Sequence, residues 1–128
     1  MDETGARAAL RHYVDRSAAG DNDGAHDIYA DDAVLDMPQS GERFEGVASF
    51  KAWRKDYPAA VELDIRRVRG GGDVWTAEVA IRYDGGPWNY GVTILEFRGE
   101  KVARETIYYA EAFPAPEWSA AWRAAPPR

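Results

Sequence analysis

The chain has no cysteine at all, which excludes a disulfide scaffold, a zinc knuckle, an iron–sulfur cluster and a cysteine nucleophile. Positive charge is short as well. With 16 Lys and Arg against 22 Asp and Glu, the net charge is -6 and the pI near 4.9, which argues against a nucleic-acid partner or an anionic membrane surface. Long apolar runs are missing: the longest, Val92 to Leu95, falls far short of the ~20 residues of a membrane helix. The N-terminal residues are polar and acidic, without the basic and apolar regions of a secretory leader. A cytoplasmic protein is expected. There are 2 His, His12 and His26, and no His–carboxylate spacing that suggests a metal site.

What is present is aromatic. The 128 residues are the length of one domain, and 12% of them are aromatic, with 5 Trp and 7 Tyr. Mean hydropathy is nevertheless only -0.54, so the rings must line a core, a pocket or a partner surface. The acidic excess is local: residues 1–46 hold 11 acidic and 4 basic side chains, while 47–128 are near balance.

Apolar spacing predicts helices first and strands afterwards. Ala6, Ala9, Leu10, Tyr13, Val14 and Ala18 recur at helical intervals over Thr4 to Ala19, with Thr4 or Glu3 as cap and Gly20 as stop. Asp21 to Asp23 cap a short second helix carrying Ala25, Ile28 and Tyr29. A strand over Ala33–Met37 stops at Pro38, Gln39 to Glu42 form a turn, and Val47 to Tyr57 form a third helix closed by Pro58. From Val61 the period becomes two, giving four strands separated at Gly70–Gly72, Asp84–Gly86 and Gly99–Glu100. Residues 1–113 form the domain, and 114–128, rich in Pro, form an extension expected to pack on it with a frayed end.

The strings Ile28–Ala33, Phe44–Gly46, Gly99–Val102 and Tyr108–Glu111, in this order, resemble the SnoaL-like, nuclear transport factor 2-like superfamily over roughly residues 4–113. The resemblance implies an α+β fold. It is a cone-shaped α+β barrel with three N-terminal helices packed on a strongly curved, mostly antiparallel sheet around a pocket. It says little of chemistry, because isomerases, dehydratases, cyclases, epoxide hydrolases and non-enzymes share the fold. The oxyanion-binding tyrosine of the ketosteroid isomerases falls on Tyr13, their aspartate base on Met37 and their second oxyanion donor on Thr93. A thioether cannot shuttle a proton, so that mechanism is not expected. The Asp–Arg–Asp set of the related epoxide hydrolases meets Gly91, Thr93 and Ile107.

Strand alternation, starting from the inward Thr93 that the resemblance implies, gives a check on the cavity face. With Thr93 inward, Asn89, Gly91, Leu95 and Phe97 follow, and Trp88, Tyr90, Val92, Ile94 and Glu96 point outward. On the last strand the inward set is Ala103, Glu105, Ile107 and Tyr109. Glu105 is then the one carboxylate aimed into an apolar cavity, as a general base or acid or as a structural group paired with an inward Arg or hydrogen-bonded to the first helix; a register shifted by one residue would expose it and bury Arg104 instead. Tyr13 and Glu105 are the candidate catalytic pair, and Met37, Trp53, Trp75, Tyr83, Thr93 and Tyr109 the candidate ligand contacts. Asp36 points away from the cavity, His12 is read at the surface, and His26 as a solvated helix residue, with the mouth of the cavity near Gln39, Ser40 and Glu42 as its alternative. No metal or cofactor is called for.

Two functions remain open. The first is proton-transfer chemistry (isomerisation, cyclisation or dehydration) on an apolar carbonyl compound. The second is a module that binds a small apolar molecule, or a protein, without chemistry. The apolar outward face of the Trp88–Phe97 strand predicts a homodimer or cover by Phe113, Trp118 and Trp122.

Overall fold

The computed structural model describes residues 1–126. Helix α1 spans Glu3–Ala18, α2 Asn22–Ala25, and a 3-10 turn His26–Ile28 leads into β1, Tyr29–Met37. Strand β2, Glu42–Glu45, and helix α3, Val47–Lys55, follow. Strands β3 (Val61–Gly71), β4 (Val74–Tyr83), β5 (Asn89–Arg98) and β6 (Lys101–Ala110) complete the domain, with a 3-10 helix over Glu117–Trp122 beyond it.

The six strands form one sheet in the order β2-β1-β6-β5-β4-β3. All neighbours are antiparallel except β1 and β6. Strands β2 and β3 are free edges, so the expected barrel is a curved sheet that does not close. Register slips between Ile65 and Arg67 and between Glu96 and Phe97 are bulges of the kind that bend strands. The bend lets the sheet wrap α1 and α3, with Leu35, Phe50, Leu95 and Val102 wholly buried between them.

Local chemistry sets the helix ends. Asp2, not Thr4 or Glu3, caps α1 by accepting from the Gly5 N–H at 2.8 Å. Gly20 leaves the helix with φ +76°, a conformation open to glycine. Helix α3 ends at Lys55, two residues before the expected stop. Strand β1 begins at Tyr29 rather than Ala33, because it pairs in parallel with β6 and this long-range ladder overrides local helical spacing. Phe44 and Glu45, in the string just before the third helix, pair with Leu35 and Val34 as part of β2, a strand not expected from the sequence.

The extension does not pack on the domain as expected. Phe113, Trp118 and Trp122 are 79%, 77% and 80% exposed. The fraying expected at the end falls on residues 127–128, outside the described residues. Among the described residues no helix is long and apolar enough to cross a membrane.

Candidate functional site

Between the concave face of the sheet and helices α1 and α3 lies a cavity of about 820 Å³. Leu10, Ile28, Met37, Leu63, Ile81, Leu95 and Ile107 supply apolar wall. Alternation carries Thr93 and Leu95 of β5, and Glu105 and Ile107 of β6, to the same face. Thr93 pairs with Ile107, and Leu95 with Glu105, so the Thr93 hydroxyl and the Glu105 carboxyl meet diagonally across the two strands.

Glu105 is 6% exposed and charged groups seldom lie so deep without partners. It has three. Thr93 Oγ1 donates to Oε2 at 2.5 Å, the Tyr29 hydroxyl donates to Oε1, and Arg54 Nη2 lies 3.8 Å from Oε1. Arg54, on the last turn of α3, also donates from Nη1 to the Tyr29 hydroxyl at 3.1 Å and to His26 Nε2 at 3.2 Å. The chain of contacts ends where His26 Nδ1 meets the Asn22 carbonyl at 2.6 Å. A carbonyl accepts and a guanidinium donates, so His26 is the neutral Nδ1–H tautomer.

The electrostatics follow from burial and this one ion pair. Desolvation lowers the His26 pKa, with Arg54 and Lys51 acting the same way and the Asn22 and Glu105 contacts opposing them. Burial pushes the Tyr29 hydroxyl well above its ordinary pKa despite the nearby Arg54. For Arg54 desolvation opposes the charge, but Tyr29, Tyr13 and Glu105 outweigh it and hold the guanidinium above its usual value. Tyr109 is raised by burial and then by Glu105, and Tyr83 is pushed up to about 12 by burial and its neighbour Tyr57. The result is a buried Arg54–Glu105 pair in a net-neutral wall, among tyrosines that stay protonated.

Of the residues expected at the site, Tyr13, Met37, Trp53, Tyr83, Thr93, Glu105 and Tyr109 line the cavity. Trp75 does not: it is 5% exposed in the core, with its indole N–H donating to the Gly72 carbonyl at 2.9 Å. Trp53 turns one face to Phe44, stacked at 4.4 Å between centroids. Tyr13 stands edge-on to His26 and Tyr29, with the Arg54 guanidinium 5.0 Å from its ring centroid. Its hydroxyl is claimed by no side chain among the described residues and it borders the cavity.

Three members of the cluster escaped sequence reasoning. His26, read as solvated, is 2% exposed, because α1 and α3 close over the short second helix. Tyr29 sat in a string that carried the family resemblance, yet its placement on a helix hid its strand alternation with Glu105. Arg54 had a signal: it follows the buried Phe50 by four residues, which puts a cation on the apolar face of α3. Asp36 does point away, bound on the outer face by Arg43 and Arg104, which hold its carboxyl below the usual range. His12, at the surface end of α1, reaches the Gly24 carbonyl. Among the described residues no group of three His, Asp or Glu is placed to hold a metal.

Known proteins frame this geometry. No protein of curated function matches the chain. An NTF-2 like protein of unknown function from Burkholderia xenovorans is 42% identical, with a TM-score of 0.87 over 98% of both chains. A putative ketosteroid isomerase from Kribbella flavida is 25% identical, with a TM-score of 0.83 over 98% of this chain and 92% of that one. An LEH-like epoxide hydrolase of M. tuberculosis, 18% identical, matches at a TM-score of 0.71 over 84% of each chain, a likeness of fold alone. The model of the SnoaL-like domain matches residues 10–105. The chain therefore belongs to the SnoaL-like family, with a nuclear transport factor 2-like, ketosteroid isomerase-like fold.

Proposed function

We propose that this protein takes a small apolar carbonyl compound into the cavity and transforms it by proton transfer, as an isomerase, cyclase or dehydratase. The observation that carries the reading is that a buried carboxylate, Glu105, and Tyr13, whose hydroxyl no described side chain engages, line the same cavity, whose wall is largely apolar. Apolar walls bind by excluding water from the ligand. Tyr13 donates to the carbonyl oxygen, where charge develops as a neighbouring proton leaves. Oε2 of Glu105 accepts from Thr93 alone, keeps a lone pair on the cavity side, and takes that proton. Arg54 and Tyr29 hold the carboxylate in place. The likeness to a putative ketosteroid isomerase supports the reaction class, while Met37 argues for a different base from the isomerases' own.

A second reading, binding without chemistry, is favoured by one observation. Both Glu105 oxygens already accept hydrogen bonds, and a guanidinium neutralises the charge, which weakens a base. One experiment separates them. The protein is incubated in deuterium oxide with a panel of apolar ketones, and binding and loss of the protons next to the carbonyl are both read by NMR. Binding with exchange that Glu105→Gln abolishes supports the enzyme. Binding without exchange leaves the binding module, and no binding by any ketone overturns both.

A homodimer belongs to the same proposal, supported by large apolar side chains on the outer face of β5 and β6.

A further inference from the structure

An arginine that meets a carboxylate head-on grips it with two parallel N–H bonds of about 2.7–2.9 Å. Arg54 does not grip Glu105 in this way. Its Nη2 stops 3.8 Å from Oε1, beyond hydrogen-bond reach. Its Nη1 is turned elsewhere, to His26 Nε2 at 3.2 Å and the Tyr29 hydroxyl at 3.1 Å. Tyr29 stands between the two charges, accepting from Arg54 and donating to Glu105. Both side-chain hydrogen bonds that the carboxylate accepts therefore come from neutral hydroxyls, those of Tyr29 and Thr93.

His26 is fixed so as to hold that arrangement. Its Nδ1 donates to the Asn22 carbonyl at 2.6 Å, which leaves Nε2 as the acceptor. The Asn22 side chain donates in turn to the Lys51 carbonyl at 3.2 Å, so the segment carrying His26 is tied to the helix carrying Arg54. Tyr13 stands edge-on to the imidazole and Tyr29 tilted against it, each with ring centroids 5.7 Å away. The guanidinium lies 5.0, 5.6 and 5.7 Å from the ring centroids of Tyr13, Trp53 and Tyr29, which steadies a cation that has no forked partner. Burial favours the neutral imidazole against the Asn22 contact, with Arg54 and Lys51 adding to the effect and Glu105 opposing it.

We propose that His26 is a positioning residue, which holds the Arg54 guanidinium off Glu105 and so keeps Oε2 open to the cavity. The placement rests on geometry alone; its consequence for the reaction rests on the proton-transfer reading. Without an acceptor at position 26, Nη1 carries a buried N–H that must find another partner. Among the described residues Glu105 is the one carboxylate within ion-pair reach of Arg54, and a carboxylate has lone pairs to spare. The guanidinium then closes on Glu105 as a forked pair, one N–H taking Oε1 and the other Oε2. The oxygen that accepts the substrate proton is thereby occupied. Loss of His26 disables the base by tightening an ion pair, the reverse of what lost packing does.

Crystal structures, together with deuterium exchange and binding of the ketone, test this on the unmutated chain and two variants. In His26→Leu, which offers no acceptor, Arg54 should lie within about 3 Å of both Glu105 oxygens. Exchange should slow by about tenfold or more, while ketone affinity stays within about twofold. His26→Gln keeps an acceptor for Arg54 and a donor for the Asn22 carbonyl, and should recover the spacing and most of the exchange. An Arg54 that keeps its original spacing in His26→Leu overturns the positioning role, and so does equal slowing in both variants. Closure onto Glu105 with undiminished exchange removes Glu105 as the base, which overturns the proposed reaction and not the placement. A reading that needs no variant comes from the imidazole nitrogen-15 shifts of the unmutated protein at about pH 7.5. Neutral His26 protonated at Nδ1 is expected; a proton on Nε2 overturns the acceptor, and the positioning role with it.

Discussion

Arg54 Nη1 approaches His26 Nε2 at 3.2 Å, and this contact requires a neutral imidazole. A proton added to His26 would set two cations against each other at hydrogen-bond distance. It would also have to be taken up in the desolvated space that already lowers the His26 pKa.

The pH dependence has a definite sign. His26 has a folded pKa below its unfolded value of 6.5, so the unfolded chain binds the proton more readily. The stability associated with neutral His26 is complete above pH 6.5 and is lost as pH falls from there through the folded pKa. Urea midpoints measured from about pH 7.5 down to about pH 5 should fall, and His26→Gln should flatten that slope. Gln keeps one acceptor for Arg54 and one donor for the Asn22 carbonyl.

Removing half of the buried ion pair should be costly. Glu105→Gln preserves shape but leaves the Arg54 guanidinium, 17% exposed, without its anion. A loss of about 3 kcal/mol in urea unfolding is expected, with the double variant Glu105→Gln/Arg54→Met recovering part of it. Thr93→Val, which deprives Oε2 of its donor, should cost about 1–2 kcal/mol. Equal and additive losses in the cycle would falsify the pairing.

Tyr13→Phe isolates binding from folding. The hydroxyl serves no acceptor among the described side chains, so urea stability should change by less than about 0.5 kcal/mol. Affinity for an apolar ketone, measured by calorimetry, should fall about tenfold. A stability loss without an affinity loss would return Tyr13 to a purely structural role.

Gly91 has no room for a side chain against Tyr109, which lines the cavity. A Cβ there would lie 2.4 Å from the Tyr108 carbonyl oxygen and 2.5 Å from Tyr109 Cδ1. Gly91→Ala should therefore displace Tyr109 from its place in the wall. A cost of about 1–3 kcal/mol and altered ketone affinity are expected, whereas an unchanged ligand profile would detach Tyr109 from recognition.

Much of this architecture was legible in local chemistry. Helix α1 announced itself by apolar residues at three- and four-residue spacing, and the last four strands by strict alternation between Gly- and Asp-rich turns. With Thr93 set inward by the family resemblance, the same alternation put Glu105 and Tyr109 inward, since side-chain direction follows parity wherever a strand runs without a bulge. The lack of cysteine and the scarcity of basic residues likewise excluded whole chemistries, because composition needs no fold to act.

What the tertiary structure alone decided is partnership. Tyr29 and Glu105 are 76 residues apart, and they meet because β1 lies parallel to β6, a pairing that leaves no periodic mark in either segment. The same ladder drew Tyr29 out of an expected helix, and the closing of α1 and α3 buried a histidine that reads as solvated. Trp75 and Tyr83 share one parity on β4, yet only Tyr83 borders the cavity, since position along a bent strand is set by the sheet's curvature. Parity is local and survives in the sequence. The distance between elements is not, and it arises only when the sheet bends around its helices.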